Sequence, residues 1–219
     1  MIKPRLVEIM QYIEGDVLAD IGTDHGYLPI EAVTQGFCKR AIACDIRSGP
    51  LGMAEANIRA ARLSSVIETR LGDGLKPLKC GEADSIVISG MGGTLIWKII
   101  NDNEKAKAAK RLILQPQHDI EGLRKNLHSV GFEIFDEKLV FDSRFYVILV
   151  VCYTGTITDW AEKEYFLGKH IEKNEYRRQY FNELKKKLAG YIHRITDEKA
   201  RKTAENQYVW LEEELCRKD

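Results

Sequence analysis

The chain has 219 residues, enough for one α/β domain with a substantial core and a smaller appendage. Its 33 Lys and Arg balance 33 Asp and Glu, so overall basicity offers no argument for a nucleic-acid partner and local distribution has to decide. The five cysteines, Cys38, Cys44, Cys80, Cys152 and Cys216, form no Cys-x-x-Cys pair and have no histidine at ligand spacing, which predicts free thiols in a reducing cytosol and no metal site.

The first residues, Met1 to Arg5, lead into an amphipathic helix instead of a secretory apolar core, and no apolar run reaches membrane-spanning length. A soluble, cytoplasmic protein with no membrane partner is expected, as a monomer, with a weak dimer as the alternative. Pro4 to Ile13 reads as that helix, with Leu6, Ile9, Met10 and Ile13 on one face and Gly15 ending it. Val17 to Ile21 is a buried strand that stops in Gly22-x-x-x-Gly26, with a helical pattern through Ala32 and Val33 beyond. Such a turn brings backbone close to a ligand and aims a helix N-terminus at it. A dinucleotide fingerprint would be Gly-x-Gly-x-x-Gly, whereas Asp24 stands two residues after Gly22, where a carboxylate would repel a pyrophosphate. The turn suits a nucleoside carrying a cationic amino-acid tail, or it is an ordinary strand-to-helix connection.

Arg40 to Ile46 is a second strand, and Asp45 at its end lies one βαβ unit beyond Asp20, where an acid can bond ribose hydroxyls or simply cap a turn. Ser48-Gly49-Pro50 starts an alanine-rich helix to Leu63. Val66 to Leu71 is a third strand that delivers Gly72-Asp73-Gly74-Leu75, a place for an adenine amino group or a bare turn. Ala83 to Ser89 is the fourth, opening into Gly90-Met91-Gly92-Gly93, which either walls a pocket or turns the chain, with Thr94 expected to cap the next helix. Arg111 to Leu114, ending in Gln115-Pro116, is the fifth, followed by a helix with Leu123 and Leu127. Phe132 to Phe141 and Arg144 to Tyr153 form a hairpin around Asp142-Ser143. Five strand-helix units and a hairpin predict a mostly parallel, doubly wound sheet with its ligands at the strands' carboxyl ends. Gly22, Asp24, Asp45, Asp73 and Gly90 to Gly93 all fall on that edge.

After Gly155 the pattern is helical only. Asn174 to Ile195 and Asp197 to Cys216 carry apolar stripes at three- and four-residue spacing, predicting an antiparallel helical hairpin. Residues 163 to 202 hold 12 Lys and Arg against 6 Asp and Glu. The run Lys185-Lys186-Lys187 can follow a phosphate backbone or be a solvated face.

Ala19-Asp20-Ile21-Gly22-Thr23-Asp24-His25-Gly26-Tyr27-Leu28-Pro29, with Gly72-Asp73-Gly74-Leu75, Ser89 to Gly93 and Leu112-Ile113-Leu114-Gln115-Pro116, resembles the bacterial tRNA (adenine-N1)-methyltransferase family that acts at adenine 22 of the D arm. The resemblance covers roughly residues 5 to 153; Gly26 stands where alanine is more usual in that family. It implies a Rossmann-like class I methyltransferase with a seven-stranded sheet and helices on both faces over residues 1–155, and a helical tRNA-binding domain over 156–219. It implies S-adenosylmethionine as cofactor, with Asp20, Gly22 and Gly26 around the methionine end and Thr23 and His25 among the other cofactor-binding residues. Asp45 falls at the ribose and Asp73 with Gly74 at the adenine, with Ile46 and Gly90 also on the cofactor. Asp24 is carried over as catalytic. Tyr27, Met91, Gly92, Gly93 and Gln115 fall on the target-base side, and Lys185, Lys186 and Lys187 on tRNA. His25 tempts as a general base but reads better as a neighbour that fixes the loop or the cofactor.

Adenine N1 attacks through an in-plane lone pair and needs no strong base, while its product is cationic. A carboxylate at Asp24 can accept from the exocyclic amine and stabilise that charge. The rival readings are a methyltransferase of the same fold acting on another RNA or a small molecule, and an RNA-binding protein with a vestigial pocket. A nicotinamide oxidoreductase is disfavoured by the missing fingerprint.

Overall fold

The computed structural model describes residues 2–157 and 160–217. Among them seven strands form one sheet in the order β3-β2-β1-β4-β5-β7-β6. These are β1 (Val17–Ile21), β2 (Arg40–Asp45), β3 (Ile67–Leu71), β4 (Ser85–Met91), β5 (Arg111–Pro116), β6 (Phe132–Asp142) and β7 (Arg144–Tyr153). The first five run parallel, and β7 inserts antiparallel between β5 and β6.

Burial on both faces is read directly from the strands. Leu18, Val87, Ile113 and Ile148 enter one core, while Ala19, Ile86, Ile88, Leu112, Leu114 and Leu149 enter the other. The first core is closed by α1 (Pro4–Met10), α2 (Tyr27–Thr34) and α3 (Ser48–Ala60), through Ile9, Met10, Leu28, Ala32 and Ile58. The second is closed by α4 (Gly93–Ile100), α5 (Glu104–Ala108) and α6 (Ile120–Ser129), through Ile96, Ile100, Ala106, Leu123 and Leu127. Strand order reverses between β1 and β4, and the crevice at a reversal is where doubly wound sheets take ligands.

The helical tail follows the predicted punctuation. After α7 (Glu162–Leu167), α8 (Glu175–Tyr191) starts where the Asn174 side chain accepts from the Arg177 amide at 3.0 Å, and α9 (Glu198–Cys216) where Asp197 accepts from Ala200 at 2.7 Å. Phe181, Leu188, Ala204 and Leu211 form a third, separate core between them.

Three local expectations change. The stretch between β3 and β4 contains no helix among the described residues, because Gly72, Gly74, Pro77 and Gly81 interrupt it; Leu75 and Leu78 are buried from turns instead. The first helix ends at Met10, three residues short of Ile13. Thr94 does not cap α4: Gly92 holds the cap position, and the Thr94 hydroxyl donates to Asp119 at 2.8 Å. Among the described residues no helix is long and apolar enough to cross a membrane, and no cluster of His, Cys, Asp and Glu is placed to hold a metal ion.

Candidate active site

A cavity of about 830 Å³ opens at the carboxyl ends of β1, β2, β3 and β4. It is at the upper end of the roughly 300–1,000 Å³ range for one small-molecule ligand. The turn after β1 is its floor. Gly22 (φ 76°), Asp24 (φ 55°) and Gly26 (φ 72°) all lie in the left-handed region, so the chain coils tightly there. The Gly22 and Thr23 amides donate to the Cys44 carbonyl at 2.8 and 2.9 Å, which ties this turn to β2. The Met91 methyl lies against Gly22 and could shift aside, so it is the left-handed backbone at this position that favours glycine.

Four carboxylates face the cavity in two environments. Asp20 and Asp45 are buried, each 4% exposed, whereas Asp24 and Asp73 have exposed side chains. Burial pushes the Asp20 carboxyl up to about 6, and the neighbouring Asp45 charge adds to the push. Asp45 accepts from the Arg47 amide at 2.9 Å and from the Asp24 amide at 3.4 Å, so it links the first two strand ends. Asp73 is held by Lys76 at 2.7 Å, and that partner lowers its pKa. The Asp24 carboxylate lies 3.4 Å from His25 Nε2, and the His25 ring stacks on Tyr27 with centroids 5.4 Å apart.

The cavity has the donors and walls that a nucleoside with an amino-acid tail requires. The Thr23 hydroxyl is buried beside Asp20, where it counters part of the upward push that burial puts on that carboxyl. Ile46, Met91, Leu95 and Ile99 supply apolar walls between the acids.

Most residues singled out from the sequence line this cavity: Asp20, Gly22, Thr23, Asp24, His25, Tyr27, Asp45, Ile46, Asp73, Gly74, Gly90 and Met91. Gly26 stands just behind, as the cap residue of α2. Three target-base candidates stand apart. Gln115 is fully buried, accepting from the Gly90 amide at 3.2 Å and donating to the Pro116 carbonyl at 2.9 Å; it shapes the Gly90 bend from beneath. Gly92 and Gly93 give room for His118 and Asp119, whose atoms occupy the space a Cβ would need. Gln117, two residues past Gln115, reaches the wall instead. Lys185, Lys186 and Lys187 lie on α8, outside the cavity; Lys185 is paired with Glu212 at 2.8 Å, and the other two are exposed.

Ile2, Lys3, Arg5, Leu6 and Arg47 also line the opening, and their place was not readable beforehand. The first four come from the segment around α1, which meets the cavity only because that helix packs against β6 and α2.

A mostly parallel sheet in this order, with β7 antiparallel and acids at successive strand ends, is the arrangement of a Rossmann-like methyltransferase, and the family described as "Methyltransferase domain" matches residues 2–149. The tRNA (adenine(22)-N(1))-methyltransferase of Bacillus subtilis (strain 168) is 41% identical over 149 residues, which span 67% of this chain and 63% of that enzyme. The crystal structure of the B. subtilis m1A22 tRNA methyltransferase TrmK superposes with a TM-score of 0.84 at 31% identity, covering 98% of this chain and 99% of that one. M. capricolum TrmK, in complex with the natural cofactor product S-adenosyl-homocysteine, gives 0.84 at 26% identity, covering 98% of each chain. The chain belongs to the TrmK family of tRNA methyltransferases.

Proposed function

We propose that the chain methylates N1 of adenine 22 in the D arm of tRNA, using S-adenosylmethionine. Residues 1–155 serve as the catalytic domain, and 156–219 help hold the RNA. The observation that carries this reading is the convergence of four aspartates in one cavity, in a member of this family: two are buried in its floor, and one, Asp24, is exposed on the turn between them.

When bound, the cofactor supplies a methyl group on a cationic sulfur, which an in-plane ring nitrogen lone pair accepts. Asp20, with the Thr23 hydroxyl and the Gly22 turn, binds the amino-acid end; Asp45 takes the ribose. Asp73 reads the cofactor's adenine after exchanging Lys76 for it, with Ile46, Leu95 and Ile99 against the rings. Asp24 accepts from the exocyclic amine of the target adenine, which orients N1 and stabilises the positive charge that methylation leaves. His25 holds Asp24 and Tyr27 in place. Because N1 is on the Watson–Crick edge, the base leaves its stack to react.

Asp20 gives this reading a pH signature. Its carboxyl titrates near 6 in the folded protein instead of near 3.8, so the cationic tail meets a neutral acid below that point. Cofactor affinity is expected to fall as pH drops through about 6, by up to about tenfold per unit, and to be flat above it. Folding stability runs the other way, decreasing with rising pH between about 4 and 6, because the native state holds this proton longer than the unfolded chain. Calorimetric titration of S-adenosylmethionine from pH 5 to 8 checks the first claim; Asp20→Asn should bind weakly with a flat profile.

The reaction itself is tested by incubating unmodified tRNA with the chain and cofactor and analysing its nucleosides by mass spectrometry. 1-Methyladenosine is the expected product. A different methylated nucleoside, or none, overturns the proposal.

A further inference from the structure

Three polar residues leave the end of β5 in a row, and two of them are engaged within the fold. The His118 ring occupies the space beside Gly92 where a Cβ would stand, and Asp119 accepts from the Thr94 hydroxyl at 2.8 Å. Gln117 is different. It is exposed, it lines the cavity, and its side-chain amide makes no hydrogen bond among the described residues.

The backbone nevertheless fixes Gln117 at the cavity wall. Its main-chain amide donates to the Met91 carbonyl at 2.8 Å, and Nε2 lies 3.7 Å from where a Cβ on Gly90 would stand. Gly90 is the extra residue of β4 against β5, since Ser89 pairs with Gln115 and Met91 with Pro116. Bulges of this kind re-aim the chain beside a site. Met91 in turn lays its methyl against Gly22, at the start of the turn that carries Asp24. The loop with Gln117 and the turn with Asp24 therefore meet at Met91.

A carboxamide presents one acceptor and one donor side by side in a plane, which matches the N6 amine and N7 of adenine. Guanine has two acceptors on that edge, O6 and N7, and pyrimidines have no N7. Methylation at N1 turns the Watson–Crick edge toward the methyl donor and leaves the N7 edge free to be read. The N6 amine has two protons, one on the N1 side for Asp24 and one on the N7 side.

We propose that Gln117 reads the target base, with Oε1 accepting the N7-side proton of the exocyclic amine and Nε2 donating to N7. The proposal rests on the tRNA-methylation reading and adds to it the residue that selects adenine. Guanine fails at both acceptors, because its O6 would meet the Asp24 carboxylate and the Gln117 amide oxygen.

The test uses two tRNA transcripts that differ only at position 22, with adenine in one and 7-deazaadenine in the other. The second base keeps N1 and the amine but has a carbon in place of N7, so it cannot accept from Nε2. The kcat/KM for methylation of each transcript is measured for the unsubstituted protein, Gln117→Leu and Gln117→Ala, with the Kd for S-adenosylmethionine alongside. Both variants should lose about tenfold or more on the adenine transcript, while the cofactor Kd stays within about twofold. The penalty for 7-deazaadenine should be about tenfold larger in the unsubstituted protein than in either variant; effects of the ring change on N1 itself are common to all three and cancel in this comparison. An equal penalty in all three proteins would show that Gln117 does not touch N7, and the proposal is wrong. Weakened cofactor binding in both variants would assign the amide to the cofactor and overturn it as well. If the unsubstituted protein does not methylate the adenine transcript, the functional reading fails first and takes this inference with it.

Discussion

Asp24→Ala is expected to lower single-turnover methylation of tRNA by about a hundredfold or more, while the Kd for S-adenosylmethionine stays within about twofold. The argument is one of placement. Asp24 sits at φ 55° on the turn between β1 and α2, its amide leaning on Asp45 and its carboxylate exposed at the cavity beside His25. It is therefore fixed by backbone, and its charge is available to an incoming base. Asp24→Asn separates charge from geometry, since asparagine tolerates the left-handed conformation better than alanine. The amide oxygen can still accept from the adenine amine but carries no charge, so an intermediate rate is expected. Wild-type rates in the alanine variant would remove Asp24 from the mechanism.

Arg124→Ala is expected to destabilise the fold by about 3–5 kcal/mol, because it leaves a buried carboxylate without its counter-ion. Arg124 and Glu137 are each 1% exposed, and Arg124 Nε donates to Glu137 at 2.7 Å. The same guanidinium donates to the Tyr165 and Phe166 carbonyls at 2.8 and 3.2 Å, covering the end of α7, and Glu137 accepts from the His170 amide at 2.9 Å. One ion pair thus fixes α6, β6 and the start of the helical tail together. In denaturant unfolding the loss should appear as a lower midpoint, and in thermal unfolding as a fall of roughly 10 °C. The double substitution Arg124→Met with Glu137→Leu should recover much of the loss, since no charge is then stranded. A change below about 1 kcal/mol in Arg124→Ala would show that water reaches the pair.

This clamp was invisible in the sequence, where Arg124 reads as one more polar helix residue and Glu137 as the outward side of a strand. Its meaning depends on carbonyls some forty positions away. The strands that make the cavity were legible for the opposite reason: runs such as Ile86-Val87-Ile88 are apolar at every position because both faces are covered. Asp20, Asp45 and Asp73 were legible with them, since a strand's end fixes where its last residues point. Gln115 obeyed the same logic to the end of β5, but its side chain turns under Gly90, and a sequence does not show which of two adjacent loops lies on top. Likewise Lys185 lay in a basic run, while its pairing with Glu212 depends on the fold of α8 against α9.

The N-terminal segment is the largest omission. Its periodicity predicted a helix packed on the sheet, and the helix does bury Ile9 and Met10. Nothing in that period indicated that Lys3 and Arg5 would border the cavity, because this depends on where β6 ends.

The central claim is that this cavity methylates one adenine of one RNA. It is tested most directly by methyl transfer from labelled S-adenosylmethionine to two otherwise identical tRNA transcripts, one with adenine and one with guanine at position 22. Label in the first transcript, recovered as 1-methyladenosine, and none in the second is the predicted result. Equal labelling of both would contradict it.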